Sequence, residues 1–139
     1  MSLLSLQSNL WPLTCPSPPQ LFSELVEERT RELIMDRIVM LSEILTANPA
    51  DSFARYGLAM EYSKAGQIEQ ALQEFKTLIE KNPDYTPAYF MAAQTLATAS
   101  RVDEAKRWLM EGISSAVRTG NAHAQSEMTA MLEELGEAR

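Results

Sequence analysis

Residues 52–85 read SFARYGLAMEYSKAGQIEQALQEFKTLIEKNPDY, and the architecture that we predict for the chain rests on this stretch. Apolar and small residues recur along it at the three- and four-residue spacing of a helix face, and the pattern is interrupted at Gly66. Glycine suits the left-handed conformation that ends a helix. Asn82-Pro83 ends the second helix, because the residue before a proline disfavours the helical region. The stretch therefore predicts two short antiparallel helices joined by a turn at Gly66.

The same pattern returns in residues 86–119 at an offset of 34 positions. The offset pairs residues of similar type: Tyr56 with Phe90, Ala59 with Ala93, Ile68 with Val102, Ala71 with Ala105, and Ile79 with Ile113. It also holds backwards, since Asn48-Pro49 stands 34 positions before Asn82-Pro83. Self-similarity at a fixed period of this length predicts stacked helical repeats rather than an ordinary globular domain.

With this period, its small packing residues and its closing proline, the chain resembles the tetratricopeptide repeat family. In the first repeat the resemblance is carried by Leu58, Ala59, Tyr62, Gly66, Ala71, Phe75 and Pro83. In the second it is carried by Tyr89, Ala92, Ala93, Leu96, Ser100, Ala105 and Leu109, while Val117 replaces the closing proline. The resemblance covers residues 35–119. It implies an all-α fold, a right-handed solenoid of helical hairpins with two full repeats, an N-terminal helix and a C-terminal capping helix.

We predict three segments along the chain. They are a disordered Pro-rich tail at 1–19, an N-terminal helix at 20–47, and a tetratricopeptide-like domain at 48–136. Within the domain the repeats occupy 52–85 and 86–119, and the capping helix occupies 121–135. Between 20 and 47 the apolar spacing fits one long helix, or two helices with a bend at the charged residues 27–32, and these alternatives stay open.

Particular residues are predicted to shape the repeats. Small side chains let two helices approach closely, and the predicted points of close contact are Ala59, Ala65 and Ala71. The predicted helix caps are Thr86, Ser100 together with Asp103, and Asn121. Gly120 is predicted to end the second repeat.

The first 20 residues contain no charged side chain and end in a Pro-rich run. A secretory signal needs a basic segment before its apolar core, so none is predicted here. Beside a disordered tail, three alternatives stay open: lipid attachment at Cys15, docking of Leu10 and Trp11 as an apolar plug, or a translation start at Met35. Whether residues 1–34 belong to the working protein is left open with them.

Composition and motifs argue against several functions. A net charge of −7 and a pI near 4.7 disfavour a nucleic-acid partner, which needs clustered Lys and Arg. One cysteine cannot form a disulfide framework. We find no Gly-rich phosphate loop, no paired-cysteine metal spacing and no catalytic motif, and the one histidine, His123, is predicted to be structural or solvent-facing. We therefore predict a cytoplasmic protein that is not an enzyme, with no cofactor, metal or membrane partner.

The resemblance further implies that the first helix of each hairpin lines a concave groove. The outward positions correspond to Tyr56, Met60, Lys64, Phe90, Met91 and Gln94. Aromatic and methionine side chains at such positions predict a site for an amphipathic helix or an extended peptide of a protein partner, whose identity the sequence leaves open. Two alternatives stay open: the end-helix or tail of the chain fills the groove, or two copies form a homodimer through the same face.

One better-known groove of this family clamps the C-terminal carboxylate of heat-shock chaperones. The resemblance implies that such a clamp needs Lys and Asn at the outward positions. Tyr56, Met60 and Met91 stand there in this chain, so a chaperone carboxylate is not the predicted partner.

Overall fold

The computed structural model of the chain describes residues 18–137, and these form helices joined by short turns, with no strand among them. The helices are α1 Pro18–Ala47, α2 Ser52–Lys64, α3 Ile68–Lys81, α4 Thr86–Thr98, α5 Val102–Thr119 and α6 Ala122–Glu137. The first hairpin consists of α2 and α3, and the second of α4 and α5. The predicted all-α stack of two hairpins, flanked by a helix on each side, is confirmed.

The chain divides within α1 into two units, Met1–Leu33 and Ile34–Arg139. Of the first unit the structure describes one helical segment, residues 18–33. The second unit contains the rest of α1 and the helices α2–α6. The predicted domain boundaries stay predictions, and the three residues of the tail named above, Leu10, Trp11 and Cys15, lie outside the described residues.

α1 is a single helix through the charged residues 27–32, which decides between the two alternatives left open by the sequence. It begins at Pro18, two residues before the predicted start, because proline is tolerated in the first turn. It ends at Ala47, before Asn48-Pro49, as predicted. Within the second unit, apolar residues of α1 pack against α2, and this cluster consists of Ile34, Ile38, Leu41, Leu45, Ala54, Leu58 and Tyr62.

Alanines form the close contacts between the two helices of each hairpin. Ala59 and Ala71 in the first hairpin are fully buried, and so are Ala93 and Ala105 in the second. The prediction that Ala65 is a third such contact is wrong. That residue is exposed, because α2 ends at Lys64 and Ala65 already lies in the turn.

The turns after α2, α4 and α5 share one backbone geometry. Their left-handed residues are Gly66, Ser100 and Gly120, with φ of 75°, 61° and 69°. The next residue of each turn donates its backbone N–H to a carbonyl five residues earlier, as in a Schellman motif: Gln67 to Tyr62, Arg101 to Leu96, and Asn121 to Ala116. Gly66 and Gly120 therefore end their helices as predicted.

Two of the predicted caps are wrong and one is confirmed. Ser100 occupies the left-handed position of its turn, so it forms no cap with Asp103, and α5 has no side-chain cap. Thr86 lies inside α4, buried, with its Oγ1 3.3 Å from Ser115 Oγ on α5. Asn121 does cap α6, because its Oδ1 accepts a hydrogen bond of 3.1 Å from the N–H of Ala124.

The repeat also appears in the contacts that tie the connection before each hairpin to the two helices of that hairpin. Pro49 O accepts hydrogen bonds from Arg55 Nη2 at 3.0 Å and Lys81 Nζ at 3.2 Å. Thirty-four residues later, Pro83 O accepts from Tyr89 OH at 2.9 Å and Ser115 Oγ at 3.1 Å. Each residue of the first group stands 34 positions before its counterpart in the second, although the donor side chains differ. Equivalent backbone carbonyls are therefore anchored in the same way along the stack.

α6 packs against both α4 and α5, as α4 packs against α2 and α3. Met128 of α6 is fully buried in a cluster with Tyr89 and Leu109. On its other side Gln125, Glu133 and Glu134 are exposed, which is what the end of a repeat stack requires in water. The predicted capping helix is confirmed.

We expect Gly112→Ala to destabilise the fold. Gly112 of α5 is buried, and an added Cβ would lie 2.5 Å from Met128 Sδ and 2.6 Å from Tyr89 Cβ, so backbone or side chains must shift. Overpacking of this kind costs about 1–3 kcal/mol, more than the roughly 1 kcal/mol that alanine gains in a helix. Urea unfolding measures the change. Gly136→Ala in α6, where nothing lies within 4 Å, is the control and should stabilise slightly. Equal stability of the two variants would contradict the expectation.

The turn geometry gives a second expectation, for Ser100→Gly. A left-handed conformation costs a non-glycine residue about 1–2 kcal/mol, and glycine removes this cost while adding freedom to the unfolded chain. Ser100→Gly should therefore raise the thermal midpoint, and Gly66→Ala, the reverse change at the equivalent turn, should lower it. Calorimetry of both variants checks the pair. Two shifts of the same sign would show that the turns are not equivalent.

Candidate functional site

A cavity of about 240 Å³ lies where α2, α4 and α6 come together, and we call it the groove cavity. α2 contributes Tyr56, and α4 contributes Thr86, Pro87, Phe90 and Met91. The start of α6 and the residue before it contribute Asn121, His123, Ala124, Glu127 and Met128. Aromatic, methionine and other apolar side chains make up most of this lining.

Helix lengths determine which residues reach the cavity. The offset of 34 places Tyr56 and Phe90 at equivalent points of α2 and α4. α5 has 18 residues where α3 has 14, and the connection after it has two residues where the earlier one has four. α6 therefore begins 36 residues after α4, since 122 − 86 = 36. The shift brings the polar residues His123 and Glu127 to the cavity.

The structure brings three of the six predicted site residues together. Tyr56, Phe90 and Met91 line the groove cavity. Outside the lining, Met60 packs partly buried against the core of the first hairpin, and Gln94 is exposed on α4. Lys64 is also outside it, and its Nζ donates to Glu61 Oε1 at 3.0 Å. Of the six predicted residues, a ligand in the cavity would therefore contact Tyr56, Phe90 and Met91.

Tyr56 is held rigidly by other aromatic rings. Its ring lies edge-on to Phe75, with centroids 6.2 Å apart, and is tilted against Tyr85 at 5.5 Å. Phe75 is fully buried, so one wall of the cavity rests directly on the core. Burial, and next the neighbouring Tyr85, raise the pKa of Tyr56, so the phenol keeps its proton near neutral pH.

His123 and Glu127 were not among the site residues predicted from the sequence. His123 Nε2 lies 3.4 Å from Glu127 Oε1, one helical turn away, and both side chains are exposed at the cavity rim. The two residues are four positions apart, a spacing that lets side chains meet on a helix. This spacing was the one feature of the sequence that could have indicated the pair. They lie beside Tyr56 and Phe90 because of the residue at which α6 begins, and the 34-residue offset does not predict that residue.

α6 forms a wall of the groove cavity and leaves the cavity open between itself, α2 and α4. α6 therefore does not fill the groove, contrary to the alternative in which the end-helix occupies it. The tail, the other segment considered, lies outside the described residues.

A second depression, of about 360 Å³, lies between α3 and α5. Five of its seven lining residues are charged: Lys76, Glu80, Glu104, Arg107 and Glu111. Mixed charges of this kind suit a hydrated surface, whereas the groove cavity has the largely apolar lining with few polar groups that binding sites commonly show.

No group of three or more His, Cys, Asp or Glu side chains among residues 18–137 could hold a metal ion. Within the same range, the helices are too short or too polar for any of them to span a bilayer.

A family profile described as tetratricopeptide repeat matches residues 62–126. A TPR repeat-containing protein of Pseudomonas aeruginosa is 26% identical over 99 residues, which cover 71% of this chain and 94% of that protein.

Solved structures show the same similarity. A tetratricopeptide repeat domain protein from Salinibacter ruber is 29% identical, with a TM-score of 0.58 over 64% of this chain and 99% of that one. The TPR2B domain of yeast Sti1, solved in complex with pHsp70, is 18% identical, with a TM-score of 0.70 over 81% of this chain and 90% of that one. The yeast domain shares the fold alone.

The environment of Tyr56 predicts a pH dependence. Because its pKa in the folded state is raised above 10.0, the stabilisation linked to its proton is complete below the unfolded pKa and is lost as pH rises through the folded one. Tyr56→Phe should therefore make the loss of stability shallower in the range from about pH 10 upward. Urea unfolding across this range measures the slope. Identical slopes for variant and wild type would show that the Tyr56 phenol does not contribute.

Proposed function

The chain belongs to the tetratricopeptide repeat family, and we propose that it is a non-enzymatic interaction module that holds a peptide or an amphipathic helix of a protein partner in its groove. The groove cavity carries this proposal. Three helices of the stack converge on it, and its lining combines the aromatic rings of Tyr56 and Phe90 with the adaptable side chains of Met91 and Met128. Aromatic anchors and methionine contacts are the usual means of binding an apolar side chain of a partner.

The size of the cavity supports a peptide rather than a small molecule. Pockets for small ligands and cofactors are typically about 300–1,000 Å³ and enclose most of the ligand. The groove cavity, at about 240 Å³, is smaller and matches one large side chain, such as Leu, Met or Phe. The rest of the partner would then lie along the surfaces of α2 and α4, where Met60 and Gln94 are available.

The rim of the groove cavity favours a bound peptide of positive charge. Glu127 is half exposed beside the cavity, and the chain carries a net charge of −7. Basic residues next to the anchoring side chain of the peptide would therefore be favoured, and phosphate backbones disfavoured. We also propose that the module works in the cytoplasm, where the thiol of its single cysteine would stay reduced.

The relatives support the general function and leave the ligand open. The yeast Sti1 domain was solved in complex with pHsp70, so this fold can hold a protein ligand. In this chain the positions of the chaperone clamp hold Tyr56, Met60 and Met91, which cannot donate the charged hydrogen bonds a carboxylate needs. We therefore propose an internal peptide segment with an apolar anchor as the ligand.

Peptide selection tests the proposal. A random peptide library displayed on phage should enrich sequences with one large apolar residue next to Lys or Arg, and Phe90→Glu should weaken the selected peptides at least about 10-fold, or 1.4 kcal/mol. Fluorescence anisotropy measures the dissociation constants. Phe53→Glu is the matched control, because Phe53 is an exposed aromatic residue of α2 outside the cavity lining. Equal binding by both variants would overturn the proposal, as would no enrichment.

Pairing of two copies through the groove, the alternative from the sequence, stays a prediction. It requires that Phe90→Glu convert a dimer into a monomer. Light scattering distinguishes this result from the loss of peptide binding alone.

A further inference from the structure

The second half of α1 occupies the place of a second helix of a hairpin. Residues 34–47 stand 34 positions before α3, which comprises Ile68–Lys81, so the two segments correspond residue by residue. Apolar residues of 34–47 also pack against α2, as α3 packs against α4. A turn at Gly66 precedes α3, whereas Glu32 stands at the equivalent point before residues 34–47 and is helical. The sequence therefore provides a second helix here without the turn that joins it to a first helix.

The side of residues 34–47 that a first helix would cover is apolar and exposed. Ile44 corresponds to Leu78 of α3 and to Gly112 of α5, and both of these are buried. Ile44 itself is 40% exposed, and Met40, one turn earlier on the same side, is 53% exposed. We call these two residues the α1 flank. An apolar surface at the end of a repeat stack, where a polar one is needed in water, indicates an interaction.

Both hairpins show what covers the position of Met40. In the first hairpin this position holds Glu74 of α3, whose Oε2 pairs with Arg55 Nη1 of α2 at 2.6 Å. In the second it holds Trp108 of α5, whose ring centroid lies 6.1 Å from that of Tyr89 of α4. Arg55 and Tyr89 are themselves related by the offset of 34. The covering residue therefore comes from the same point of the first helix in both hairpins, and an apolar residue at that point would suit Met40.

A buried carboxylate oxygen indicates the same preceding helix independently. Glu61 of α2 corresponds to Thr95 of α4, whose Oγ1 lies 2.8 Å from Ser63 Oγ of the preceding first helix. Glu61 is 6% exposed, and its Oε1 accepts hydrogen bonds from Arg37 at 3.5 Å and Lys64 at 3.0 Å. Within residues 18–137 its buried Oε2 has no hydrogen-bond partner, which costs free energy. A donor at the Ser63 position of a preceding first helix would remove this cost.

We propose that the α1 flank and Glu61 form a second binding site, which receives an amphipathic helix of a partner protein in the place of a first helix. The face that α2 presents gives the pattern of this helix, because Arg55, Ala59 and Ser63 follow one another at four-residue spacing. The partner helix carries a large apolar residue for the α1 flank, a small residue, and Lys or Arg for Glu61, at positions i, i+4 and i+8. Neither Glu61 nor the α1 flank lines the groove cavity, so the two sites are separate.

The sequence of residues 18–33, from the same chain or from a second copy, fits this place poorly. In the first hairpin the two helices approach at Ala59 and Ala71, which are both fully buried. The corresponding residues are Leu25 and Arg37, and two long side chains do not fit the space of two methyl groups. A partner helix with Gly, Ala or Ser at i+4 leaves room for Arg37. The site therefore favours a helix of another protein.

A library of helical peptides tests the site. The probes are alanine- and glutamate-rich peptides of about 16 residues, long enough to be helical, that are randomised at i, i+4 and i+8 and selected on the full-length chain. We expect enrichment of a large apolar residue, then Gly, Ala or Ser, then Lys or Arg. Met40→Glu should weaken the selected peptides at least about 10-fold in fluorescence anisotropy. Met110→Glu, at a methionine of α5 that is 52% exposed, is the matched control and should bind as the wild type does. No enrichment, or equal binding by both variants, would overturn the proposal.

Further variants separate this site from its alternatives. Glu61→Thr, which introduces the residue that α4 has at the equivalent position, should change the preference at i+8 from Lys or Arg to Ser or Thr, and an unchanged preference would contradict the role of Glu61. Phe90→Glu should leave these peptides bound, whereas their loss would move them to the groove cavity. A wild-type dimer in sedimentation equilibrium that Met40→Glu dissociates would assign the α1 flank to a second copy and overturn the proposal. Stronger peptide binding by Leu25→Glu would assign it to the chain itself, with the same consequence.

Discussion

Buried alanines let the two helices of each hairpin approach closely, and both the stacking of the hairpins and the groove follow from this close approach. Ala59 meets the second helix of its hairpin near Ala71, and Ala93 and Ala105 repeat the arrangement one hairpin later, all with no exposed surface. A methyl group at such a point lets two helices pack at the short end of the usual 8–10 Å separation. Phe75 and Leu109 then fill the space beside the contact, and the two hairpins become alike enough to stack.

Stacking of like hairpins leaves the first helices side by side on one face, and this produces the groove. Tyr56 and Phe90 share that face because one translation relates them. The third wall has another origin. The longer α5 and the shorter turn after it move α6 out of the repeat register, so its contribution to the cavity includes His123 and Glu127. The end-helix thus closes the stack with its polar side and completes a binding cavity with its first turns.

α1 shows what happens when the same length of chain lacks the small residues. Leu25 and Arg37 stand where the hairpins have alanine, and no glycine interrupts the helix. The second half of α1 still packs on α2 through Ile38 and Leu45, while Arg37 instead makes an ion pair with the buried Glu61. Stretches of the same length therefore fold in two ways. The hairpins bury their apolar residues between their two helices, whereas the long helix α1 leaves many of its apolar residues exposed.

Spacing along the chain and local backbone preferences were enough to predict the hairpins, their glycine and Asn-Pro boundaries, and the shared face of Tyr56 and Phe90. Packing between helices, in contrast, buried Thr86 against Ser115 rather than leaving it as the cap of α4. It also decided which α6 residues reach the cavity. Those outcomes depend on the packing of α4 against α5 and on where α6 begins, and contacts between distant segments leave no periodic trace in the sequence.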